Sequence, residues 1–133
     1  MVRCGGVVFV AAISRWAARL DAILRQRLYE TIPGAEAGLA TSERTGRLQP
    51  LQAGSFCGFT HRPRQLRSEL LAADFDVVDV ICVEGPAFLL PDLADRLADD
   101  EARRVVMDTA RALERVPELL GIGPHLLATA RKR

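Results

Sequence analysis

The apolar run Val7-Val8-Phe9-Val10, entered through Gly5-Gly6 and closed by Ile13, constrains this chain more than any other stretch. Dense β-branched residues without polar alternation read as a strand buried on both faces, the pattern of an α/β sheet. Such a strand demands helices above and below it. The period changes at Ser14: Trp16, Leu20, Ile23, Leu24 and Leu28 recur at helical spacing, with Arg15, Arg19, Asp21, Arg25 and Glu30 between them. That spacing predicts an amphipathic helix capped by Ser14 and ended by Pro33-Gly34. The apolar run is too short for a membrane span of about 20 residues. Its place directly before a helix favours a strand over the core of a signal peptide.

Residues 35–58 mix Gly, Ser, Thr, Gln and Pro50 without a clear period, which predicts a long loop covering part of the fold. Pro63 suits the first position of a helix in which Leu66, Leu70 and Leu71 share a face. Val77, Val78, Val80, Ile81 and Val83 form a second strand, interrupted by Asp79 and stopped by Gly85-Pro86. Strand, helix and strand make a βαβ unit, so the two strands are expected to run parallel. Leu93 to Leu97 predicts a short helix, and Asp99 or Asp100 caps a longer one that Pro117 closes. His125 to Arg131 alternates weakly as a last strand.

With 133 residues there is enough chain for one domain with a real core. The 49% hydrophobic and 26% charged content argues against disorder and coiled coil. A net charge of +1 supplies no field to gather nucleic acid or an anionic membrane, and the arginines alternate with acids as a solvated face. Cys4, Cys57 and Cys82 are odd in number and lack C-x-x-C spacing, so they read as reduced thiols of a cytoplasmic protein. His61 and His125 have no ligand-spaced partners, and no metal site is expected.

The ordered segments resemble the C-terminal half of a class I S-adenosylmethionine-dependent methyltransferase. "VRCGGVVFVAAIS" is similar to the family's fifth strand, with Cys4 where proline is usual. "FTHRPRQLRSELLAADFDVVDV" resembles the helix and sixth strand that follow, carrying His61-Arg62-Pro63, Leu66, Leu70, Ala73 and Phe75. "VEGPAFLLPDL" and "LLGIGPHLLATARKR" resemble the close of one subgroup, in which the last strand runs antiparallel between strands five and six. The fold this implies is α/β, half of a Rossmann-like sheet, with residues 1–133 forming a single partial domain.

The resemblance implies methyl transfer to a small-molecule acceptor, with S-adenosylmethionine as cofactor. It assigns no cofactor-binding residue within these 133, because the family's Gly-rich turn and ribose-binding acid belong to strands not seen here. Gly121-x-Gly123 is followed by Pro124 rather than a helix and reads as a turn. This segment alone is therefore expected to bind little cofactor and to be inactive. His61, before a helix start, is a candidate base or orienting group; its alternative is a capping or surface histidine. Glu84, at the C-terminal end of a strand, is a candidate base or simply a turn residue. Trp16, Tyr29, Phe59, His61 and Phe88 are candidate substrate-lining residues, against core packing for the aromatics. A rival function is a non-catalytic interaction or dimerisation module, in which the exposed first strand captures a second copy or an N-terminal half. A third possibility is that Met1 is an internal residue of a longer enzyme.

Overall fold

The computed structural model describes residues 2–48, 50 and 56–133. Its centre is β1 (Val7–Ser14), paired along its length with β5 (His125–Lys132), which pairs in turn with β4 (Phe75–Cys82). Both pairings are antiparallel, so β1 and β4 point the same way with β5 inserted between them. The two strands run in the same direction, as expected, with β5 between them. On the other side of β1 lies β3 (Gly58–His61), parallel to it only at Ile13–Thr60 and Ser14–His61, and β2 (Arg47–Leu48) completes the order β2-β3-β1-β5-β4. The fold is α/β with a mixed five-stranded open sheet.

One face of the sheet is covered by α3 (Pro63–Ala72), with Pro63 at its first turn as the sequence suggests. Leu66 and Leu70 of α3 seat on Ala12, Val80, Leu126, Ala128 and Ala130, with Val8, Val10, Phe75 and Val77 around them. The alanines at 128 and 130 have no side chain beyond Cβ, which lets the helix approach the sheet. Full burial of Leu126 contributes about 2–3 kcal/mol. Leu71, expected on the same face, is exposed, because it lies about 100° around the helix from Leu70.

The other face departs from the sequence reading. Val7, Phe9 and Ala11 alternate outward, and Phe9 is 71% exposed in the middle of β1. The strand is buried on one face only. The helix α5 (Asp100–Leu113), capped by the Asp99 carboxylate accepting from Ala102 N at 2.8 Å, is not seated there. It packs instead on α4 (Leu93–Ala98) and the 3₁₀ segment Gly85–Leu89, and buries none of its residues.

Three further expectations are corrected. Ser14 is not a helix cap: it ends β1, and its hydroxyl donates to Gly121 O at 2.9 Å. The predicted long helix is broken into α1 (Ala17–Arg19), a π-helical stretch Leu20–Arg25 and a 3₁₀ turn Leu28–Glu30, the break marked by Arg27 at φ 54°. The predicted 35–58 loop contains α2 (Ala35–Thr45), β2 and the start of β3. Ala35, Leu39 and Ser42 form its buried face, and Gly34 and Gly46 bracket it in left-handed conformations. Within the sequence, Gly38, Thr41, Ser42 and Thr45 obscured that short period; Ser42 and Thr45 hydroxyls turn back onto the Gly38 and Thr41 carbonyls. Residues 49 and 51–55 of the predicted loop lie outside the described residues. Among the described residues, no helix is long and apolar enough to cross a membrane.

Candidate functional site at the C-terminal edge of the sheet

β1, β3 and β4 end at one edge, and β5 begins there, so the segments after Ser14, His61 and Cys82 and the turn before His125 share a rim. In open α/β sheets this is where ligands bind. The turn Gly121–Pro124 clamps the rim: Ser14 N donates to Pro124 O at 2.8 Å. A Cβ on Gly123 would lie 2.6 Å from Cys82 Sγ, and one on Gly121 would lie 3.2 Å from Trp16 Cδ1. These glycines are packed against protein and leave no cradle for a ligand. Gly121-x-Gly123 is thus a packed turn, as its sequence context suggests.

Arg15, the first residue after β1, is 5% exposed. Its Nε and Nη2 donate to Thr60 O at 3.1 and 2.8 Å, Nη1 to Glu43 O at 2.9 Å, and Nη2 to Gln65 Oε1 at 2.9 Å. It ties β1 to β3, α2 and α3. Burial, and secondarily the neighbouring Arg62 charge, pushes its pKa down. The relay continues from Gln65 Nε2 to Glu69 Oε1 at 2.9 Å, and Glu69 Oε2 meets His61 Nε2 at 3.0 Å. With Nε2 donating to that carboxylate, Nδ1 carries the lone pair, and it is buried without a partner among the described residues. One ring nitrogen of His61 is engaged and the other enclosed, which suits a positioning group better than an open base.

The aromatic candidates separate. Phe59 stands edge-on to His61, with centroids 5.0 Å apart, and beneath the Arg15 guanidinium at 5.7 Å. Trp16 is half-exposed, faces the Arg62 guanidinium at 5.7 Å, and forms the wall between two clefts of about 400 and 390 Å³ that also share Pro63 and Pro117. Tyr29 is exposed on the 3₁₀ turn after Arg27, away from these clefts. Phe88 is buried in the Gly85–Leu89 segment, so it packs in the core rather than lining a substrate cavity.

Glu84 acquires a partner that sequence reading kept apart from it. Its Oε1 meets His125 Nδ1 at 2.5 Å, and its Oε2 accepts from His125 N at 3.2 Å. A carboxylate on Nδ1–H fixes the tautomer and leaves Nε2 as an acceptor on a half-exposed ring, the arrangement of an oriented general base. Glu84 also lines a cleft of about 240 Å³ with Ala87, Leu90, Val105 and Thr109, between the 3₁₀ segment and α5. The two residues lie 41 positions apart. Only the insertion of β5 beside β4 brings them together. No protein-family model matches the chain, and no curated protein does.

Proposed function

We infer that these residues form the acceptor-binding half of an S-adenosylmethionine-dependent methyltransferase. The observation that carries this reading is the strand order: a last strand running antiparallel between two strands of common direction, with one face of the sheet covered by a helix. The order matches what the sequence resemblance implies for the end of that fold. The edge of β1 that β3 leaves open before Ile13 is where the sheet of a complete domain would continue, and the bare face at Val7 and Phe9 is where further elements would cover it.

The resemblance assigns no cofactor-binding residue to this segment, so cofactor binding is assigned to a separate segment of the sheet. Within this one, the Trp16 clefts receive the apolar body of the acceptor, and the Glu84–His125 pair takes the proton that an oxygen or nitrogen nucleophile loses. Positioning the acceptor and excluding water is the larger part of such catalysis.

Calorimetric titration with S-adenosylmethionine tests the reading. No binding by the 133 residues, and micromolar binding once a four-stranded cofactor half is supplied, is the expected result; that affinity corresponds to about 8 kcal/mol. Micromolar binding by the isolated segment would refute the half-domain reading, and failure of the completed sheet to bind would refute methyl transfer. The same exposed β1 surface favours a second reading, a non-catalytic pairing module. Stable self-association without cofactor binding in any completed form is the result that selects it.

A further inference from the structure

Most arginines of this chain face carboxylates: Arg19 pairs with Glu43, Arg96 with Asp92, Arg104 and Arg111 with Asp108, and Arg115 with Asp79. Around the first turn of α3 the pattern stops. A cleft of about 470 Å³ is lined there by Arg15, Arg44, Arg62 and Arg64, with Thr45 and Ser68 between them. None of these guanidinium groups has a carboxylate partner among the described residues, and the undescribed positions 1, 49 and 51–55 carry no Asp or Glu. The nearest acids are committed elsewhere, Glu43 to Arg19 and Glu69 to His61 and Gln65.

Arg15 makes the case sharper. A guanidinium has five N–H donors, and every one used here goes to a neutral carbonyl or amide oxygen, which leaves one Nη1 N–H uncommitted. Its positive charge is buried and uncompensated. Arg62, Arg64 and Arg44 are exposed at the mouth. Arg62 is the N-cap residue of α3 and provides no side-chain cap, so the first-turn N–H groups of Arg64 and Gln65 add their partial positive charge to the same place.

We propose that this cleft binds the oxyanion of a small molecule, a phosphate monoester or a carboxylate, held by Arg62 and Arg64 at the mouth with Arg15 behind them. The planar fork of arginine matches both anions through paired N–H···O bonds. A cleft of this volume is of small-ligand size. Burial and the charge of Arg62 both disfavour protonated Arg15, and a bound anion relieves the repulsion among these groups. The site does not rest on methyl transfer, and its test uses no cofactor.

The test is titration of the purified chain with phenyl phosphate and, separately, benzoate, followed by amide chemical shifts of Arg62 and of Arg64 to Ser68 at low salt. Saturable shifts with either probe are expected; phosphate alone identifies an ester, benzoate alone a carboxylate. R62Q/R64Q is expected to weaken binding at least about tenfold and R62K/R64K much less, since losing paired hydrogen bonds to a charge has that size. R96Q, outside the cleft, should leave affinity unchanged. These exposed substitutions should also leave the melting temperature unchanged. Absence of saturable shifts with both probes overturns the proposal, as does equal affinity in R62Q/R64Q. Binding only to a polyanion such as heparin overturns it in favour of a macromolecular partner.

Discussion

Gly123→Ala separates packing from backbone preference at the turn that clamps the site. Gly123 does not have a positive φ, so alanine is admitted by the backbone, yet its Cβ would lie 2.6 Å from Cys82 Sγ, 3.0 Å from Gly85 N and 3.1 Å from Gly85 O. Ordinary contacts require roughly another ångström from the sulfur. Backbone atoms of Gly85, itself at φ 58°, cannot retreat without moving the 3₁₀ segment. Overpacking of this kind costs about 1–3 kcal/mol, offset by about 0.4–1 kcal/mol from the stiffer unfolded chain. The net of about 1–2 kcal/mol lowers the melting temperature by about 4–8 °C in a chain of this size. Cys82→Ala removes the closest atom; the double variant should be less destabilised than the sum of the singles by about 1 kcal/mol. Gly34→Ala is the control: nothing lies within 4 Å of its Cβ, and its cost comes from φ 80° alone. Thermal melts followed by circular dichroism read the four variants and the parent. A Gly123→Ala melting temperature within about 1 °C of the parent, or strict additivity with Cys82→Ala, would refute the packing account.

Phe9→Glu should change the stability of the isolated chain by under about 0.5 kcal/mol, because the ring is already in solvent, while abolishing concentration-dependent association in sedimentation velocity. A parent chain that stays monomeric at all concentrations would count against the role given to this face. Arg15→Met leaves the Thr60 and Glu43 carbonyls without their donor and should cost about 3 kcal/mol. Hydrogen exchange should locate that loss in α2 and β3 before β4 and β5; uniform loss across the sheet would contradict the clamp described for Arg15.

Elements were legible wherever a short window carried the whole signal. Pro63 with Leu66 and Leu70 announced α3, Asp99 announced α5, and the valine runs announced β1 and β4. The failures share a cause. α2 is not legible in the sequence because Gly38 and its hydroxyl residues dilute a period that Leu39 and Ser42 satisfy only by packing. The helix after β1 was overextended because the spacing of Trp16 to Leu28 says nothing about the turn that Arg27 imposes. Of the candidate residues, Glu84 and Trp16 do line clefts at the rim, while Phe88 went to the core. Nothing near His125 in sequence names Glu84 as its partner. The arginines looked like a solvated face because their alternation with acids is a helical feature, whereas Arg15, Arg44, Arg62 and Arg64 meet from different elements.

The sequence by itself determined the class of this protein: apolar strand runs, a proline-started helix between them and a glycine-bound closing turn are written in residues a few positions apart. Backbone preference and apolar periodicity act at that range. Tertiary structure alone decided that Phe9 faces solvent, that Glu84 meets His125 and that unpaired arginines converge at α3. Each depends on contacts between residues far apart in the chain, whose free energy is set by which faces meet and which charges lose water, and no local window contains that information.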